Sequence, residues 1–103
     1  MEFLFSIEKC GELRDTDYGK EIILFINVTN DFYTEKKLSI EENPDDAFSI
    51  FVTQYNDSNE VDVEWHNEYT PINAILTDKE KELIMNYVKE HDLHTKIGII
   101  LPD

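Results

Sequence analysis

The sequence predicts an α+β fold: a mainly antiparallel sheet of about five or six strands, with one amphipathic helix near the C-terminus. Three observations carry that expectation. Short segments rich in β-branched and aromatic residues recur through the first two-thirds of the chain, separated by polar turns. Thr77 to His91 alone combines a helix start signal with helical apolar spacing. No repeat or linker composition divides the 103 residues, so 1–103 reads as a single domain.

The elements follow in order. Glu2 to Lys9 alternates Phe3, Phe5 and Ile7 on one side, as a strand does, and the polar stretch Cys10 to Lys20 with its two glycines reads as a loop. Glu21 to Thr29 is β-branched and short enough for a central strand. Asn30-Asp31 reads as a tight turn, and Phe32 to Ile40 as a third strand. Glu41 to Asp46, containing Asn43-Pro44-Asp45, breaks the pattern. Ala47 to Tyr55 is the next strand, and Asn56-Asp57-Ser58-Asn59 the turn of a hairpin. Its return arm, Glu60 to His66, alternates cleanly: Val61, Val63 and Trp65 oppose Glu60, Asp62, Glu64 and His66, one set for the core and the other for solvent or a partner. In the helix, Thr77 and Glu80 have capping-box spacing, Asp78 adds negative charge to the first turn, and Leu83, Ile84, Tyr87 and Val88 form the apolar stripe. His91 to His94 ends it, and Lys96 to Leu101 reads as a last short strand.

Composition removes several function classes. With 41% hydrophobic residues and 12% aromatics the chain can bury an ordinary core, which argues against disorder. The formal charge of −14 opposes direct binding to nucleic acid phosphates and to anionic membranes. Met1 to Glu8 lacks the basic start and apolar stretch of a signal peptide, and no apolar run approaches the ~20 residues of a membrane span. Cys10, the single cysteine, reads as a half-buried thiol at a strand end. A cytoplasmic location is the expectation.

The charge is unevenly placed. Residues 1–37 and 79–103 are close to balanced, whereas residues 38–78 hold ten acids and no Lys or Arg. Neighbours on one strand face, such as Asp62 and Glu64, lie about 7 Å apart and repel by roughly 0.6 kcal/mol in water. Solubility needs a net charge of only about 2–8 in a small domain, so a concentrated excess points to recognition. Aromatic residues share the segment: Trp65 belongs to the core side, and Tyr69, beside Thr70-Pro71, is a candidate exposed anchor.

Motifs for catalysis are missing: there is no GxGxxG, Walker A, GxSxG or HExxH. His91 and His94 lie beside Glu90 and Asp92, but a metal site needs further ligands, and polar residues at a fraying helix end account for them. Asp15-Thr16-Asp17-Tyr18-Gly19 begins like an EF-hand loop, yet its glycine falls one place early and the bidentate Glu is absent. The many carboxylate pairs sit in turns or on exposed strand faces, where their pKa values are not driven apart. No enzyme, cofactor or metal is expected.

An acidic surface with one or two aromatics suits a cationic protein, because Arg and Lys pair with carboxylates and stack on rings. A compact acidic plug would cap the basic groove of a nuclease, gaining electrostatically steered association. Two other readings stay open: a nucleic-acid mimic that inhibits a DNA-binding protein of a host or of a phage-defence system, and a small acidic metal-binding protein. In its β-rich start, Met1-Glu2-Phe3-Leu4-Phe5-Ser6-Ile7-Glu8, and its acidic stretch, Glu60-Val61-Asp62-Val63-Glu64-Trp65-His66, the chain resembles the immunity proteins of bacterial contact-dependent growth inhibition systems. That resemblance implies a cognate toxin, often an RNase or DNase, as partner, and transfers no residue positions. The charge map supplies the expected contacts instead: Asp57, Glu60, Asp62, Glu64 and Glu68, a second cluster of Asp45 and Asp46, and Tyr69 as the apolar anchor, with Trp65 supporting from beneath.

Overall fold

Apolar strand faces need a cover, and among the described residues helices supply it on one side. A computed structural model of the protein describes residues 4–38, 41, 48–67 and 76–101. Its strands are β1 (Phe5–Asp15), β2 (Gly19–Val28), β3 (Phe48–Tyr55) and β4 (Asp62–Asn67); its helices are α1 (Asn30–Lys36), α2 (Asp78–Glu90) and α3 (Leu93–Ile97). The four strands form one antiparallel sheet in the order β1-β2-β3-β4, so each strand pairs with its neighbour in sequence. The α+β class and the antiparallel sheet agree with the sequence. The strand number does not, and the described residues form three short helices rather than one.

Two corrections concern the first half. Residues 10–15 are strand, not loop. β1 runs to Asp15 because its register slips between Ile7 and Lys9 and again between Cys10 and Glu12. Each slip adds a residue, so the inward positions are Phe5, Ile7, Cys10 and Leu13, a spacing that hides the period of two. Cys10 therefore lies mid-strand, half-buried, and burial pushes its thiol above the ordinary value. Gly11 sits at the second slip beneath the Phe25 ring; a Cβ there would lie 2.5 Å from Phe25 Cζ. The turn that follows is tight, with Thr16 N and Thr16 Oγ1 both donating to Gly19 O, at 2.8 and 2.6 Å.

Phe32 to Lys36 is helical rather than extended. Thr29 caps α1, its hydroxyl accepting from Phe32 N at 3.3 Å, and Asp31 adds charge to the first turn. Asn30-Asp31 is thus the start of a helix, not a turn between strands. Lys37, at φ 57°, closes it in the left-handed cap conformation, and Leu38 N reaches back to Tyr33 O.

The second half keeps closer to the sequence. α2 has the full capping box: Thr77 Oγ1 accepts from Glu80 N at 3.1 Å, and Glu80 Oε1 accepts from Thr77 N at 2.9 Å. Ile84 and Val88 are its fully buried residues. Beyond it, α3 and a tail without regular structure replace the expected strand over Lys96 to Leu101. Gly98, at φ 91°, turns the chain out of α3. The tail is held by a side chain: Gln54 Nε2 donates to Ile100 O at 2.8 Å and Gln54 Oε1 accepts from Ile100 N at 2.9 Å. An amide thus makes both bonds that a paired strand would make.

The core lies between the helices and the inner face of the sheet. Ile22, Leu24 and Ile26 of β2 and Phe48, Ile50 and Val52 of β3 meet Phe32, Tyr33, Ile84, Val88 and Leu93. Each such aliphatic side chain stabilises the fold by roughly 1.5–3 kcal/mol through burial. Phe5 and Trp65, from the two edge strands, meet edge-on at 4.9 Å, and Phe32 lies 5.2 Å from Trp65. Edge strands of a flat four-stranded sheet would stand about 14 Å apart, so the sheet curls inward around these rings. No helix among the described residues is long and apolar enough to cross a membrane.

Candidate partner-binding surface

The opposite face of the sheet carries no helix among the described residues. Register places its side chains in rows: Lys9, Phe25, Ser49 and His66; then Glu12, Ile23, Phe51 and Glu64; then Arg14, Glu21, Thr53 and Asp62. The pleat that turns Val63 and Trp65 inward turns Asp62 and Glu64 out to this face, where both are exposed. Asp57 and Glu60 are exposed in the β3–β4 connection; Ser58 N donates to Tyr55 O, and Glu60 N donates to Ser58 Oγ at 3.0 Å.

Ion pairing sets three acids apart from the other described ones. Among the described residues the ion pairs are Arg14–Glu21 at 3.1 Å, Lys20–Asp15 at 3.9 Å and Lys36–Glu80 at 2.9 Å. None involves Asp57, Glu60, Asp62 or Glu64. Glu21, on the same face as Asp62, is by contrast buried and hydrogen-bonded at both oxygens. It accepts from Arg14 Nη2, from Tyr18 OH at 2.7 Å and from Thr53 Oγ1 at 3.2 Å. Its hydrogen bond holds the Tyr18 phenol above its ordinary value, and desolvation and the carboxylate's charge act in the same sense. The Glu21 carboxylate is therefore structural. Among the described residues, the acids of the β3–β4 arm share their exposed, unpaired state with acids such as Glu12, Asp31, Glu82 and Glu90, and differ in lying within residues 38–78, which hold no Lys or Arg.

The fold also adds residues that the sequence reading did not join to this arm. Asn56 Nδ2 donates to Asp17 O at 2.7 Å and Asn56 N donates to Tyr18 O at 3.0 Å, so the β1–β2 turn sits against the β3–β4 connection. Exposed Asp17 thereby joins the end of the sheet that carries Asp57, although it belongs to the nearly balanced first part of the sequence. Tyr18 and Tyr55 lie 5.9 Å apart there. Phe25 lies in the apolar run Ile22 to Ile26 and Phe51 between Ile50 and Val52, where sequence does not show which face each takes; the register puts both on this face. The contacts expected at Asp45, Asp46, Glu68 and Tyr69 lie outside the described residues, so the surface is built from Asp57, Glu60, Asp62 and Glu64.

The histidines take separate places. His66 stacks on Phe51 at 4.5 Å, His91 lies against Tyr87 at 4.2 Å, and His94 stands on α3. Among the described residues no three His, Cys, Asp or Glu side chains gather as a metal site would require. A comparison with protein-family models, with curated proteins and with solved structures finds no match to this chain.

Proposed function

We propose that this protein is an inhibitor of the immunity type, which neutralises a cognate basic toxin of nuclease class by laying its acidic β3–β4 arm over the toxin's cationic active-site surface. One observation carries this reading: Asp57, Glu60, Asp62 and Glu64 are exposed along one arm, within a stretch of the sequence, residues 38–78, that holds ten acids and no Lys or Arg. The described lysines and arginine that form ion pairs are committed to acids elsewhere. Carboxylates left in this state repel one another, and a partner's Lys and Arg would relieve that repulsion. A nuclease must bind phosphate, so its cleft supplies such cations.

The test is co-expression with the product of the neighbouring upstream gene, followed by nuclease assay with and without this protein. The double variant Asp62→Lys/Glu64→Lys should fold and lose affinity by tenfold or more, since close charge pairs across interfaces couple by about 1.5–7 kcal/mol. Binding by the parent protein should weaken as salt rises. Equal affinity and an equal salt slope in the variant would refute the acidic-arm model.

A further inference from the structure

We infer that the sheet face carrying no described helix is the docking surface itself, and that it selects arginine-bearing over lysine-bearing segments of a cationic protein. The inference rests on the acidic-arm reading and adds both the ground of recognition and the side chain recognised. Tyr18, Phe25 and Tyr55 are 49%, 40% and 41% exposed, and all three belong to this face or its rim. Half-buried Phe51 stands between them and β4. Such a row of rings on a sheet face without a described helix is apolar surface suited to a partner.

Two of these rings already take cations from the chain's own edge strand. Lys9 Nζ lies 5.9 Å from the Phe25 centroid and Arg14 Cζ lies 5.8 Å from that of Phe51. Cationic groups therefore fit over this face at stacking distance. On the opposite margin, Glu64 pairs across from Phe51 and Asp62 across from Thr53, with no cation opposite either acid in the ladder. The ring next to these acids, Phe51, is already stacked on His66 and covered by Arg14, so the exposed rings that share the face with the carboxylates are Phe25 and Tyr55. A guanidinium uses both together: its plane stacks on a ring while its N–H fork meets a carboxylate. An ammonium is more strongly hydrated and makes only the point-charge contact. An anionic partner, such as a nucleic acid or lipid headgroup, would meet Asp62 and Glu64 with like charge.

The experiment titrates the full chain with capped oligoarginine and oligolysine peptides of equal length, followed by amide and aromatic NMR shifts. Oligoarginine should bind about fivefold more tightly, with its largest ring shifts at Phe25 and Tyr55. In Phe25→Leu/Tyr55→Leu, whose amide dispersion reports the fold, that preference should vanish while oligolysine binding stays unchanged. Equal affinity for the two peptides, a preference that survives in the double variant, or shifts confined to the helical side would overturn the inference. The acidic-arm reading has its own readout in the same titration, since Asp62→Lys/Glu64→Lys must weaken both peptides. If that variant bound them as tightly as the parent, the acidic-arm reading would fall as well.

Discussion

The two faces of this sheet are built from the same four strands and solve burial differently. On the inner face Ile22, Leu24, Ile50 and Val52 are sealed beneath helices, and shape matching of apolar groups does the stabilising. On the outer face Ile23 is just as well hidden, at 7% exposure, yet no described helix lies over it. Its cover comes from its own sheet: Glu12 and Phe51 flank it, and Arg14 reaches across the Phe51 ring toward Glu21. One face is therefore closed by tertiary structure and the other by charged side chains lying over rings. Only the second kind of cover is able to open to a partner without unfolding the domain.

The largest effect that would test this contrast lies beside the inner face. Lys36 and Glu80 form an ion pair in which both side chains are about nine-tenths buried, and Lys36 also lies 5.8 Å from the Trp65 ring. Lys36→Met strands the Glu80 carboxylate and should cost about 3–5 kcal/mol in urea unfolding. Ile50→Ala empties a fully buried site and should cost about 2–5 kcal/mol, whereas Tyr55→Ala on the outer face should cost less than about 1 kcal/mol. Comparable losses at both sites would make the outer face a second core and end the comparison.

A smaller effect concerns alkaline pH. The Tyr18 phenol is raised by its hydrogen bond to Glu21, so the native state favours the protonated phenol. Its contribution is complete below the unfolded phenol's value of about 10 and is lost as pH rises through the higher native value. Melting temperature should therefore fall more steeply above pH ~10 in the parent than in Tyr18→Phe. Parallel curves would show that the Tyr18–Glu21 contact is not maintained in solution. The smallest expected effect is on the stability of Asp62→Lys/Glu64→Lys, which should stay within about 0.5 kcal/mol of the parent. A marked loss would mean that these acids serve the fold.

Local patterns were legible where the chain obeys one period without interruption. Val63 and Trp65 alternate with Asp62 and Glu64, and the pleat gives each set its own side. Thr77 and Glu80 announced their capping box because both partners lie within one turn. Legibility failed where a distant contact set the conformation. In β1 the slips at Ile7 and Cys10 are stabilised by pairing with β2 and hide an otherwise regular strand. α1 buries Phe32 and Tyr33 against Phe48 and Trp65, and that packing outweighs the β propensity of its aromatic residues. The tail after Gly98 forms no strand, and Ile100 pairs instead with the Gln54 amide, a partner 46 residues away.

The amino-acid order alone determined the class of fold, the surplus of carboxylates between residues 38 and 78, and the side of β4 on which Asp62 and Glu64 stand. Those properties follow from composition and from backbone periods that need only near neighbours. Tertiary structure decided which acids are spent inside the molecule and which remain outside it. Glu21 meets Arg14 and Thr53 across strands, Glu80 meets Lys36 across 44 residues, and Asp17 comes to rest beside the β3–β4 connection. Coulomb energy depends on distance in space, and that distance is set by long-range strand pairing and helix packing rather than by position along the chain.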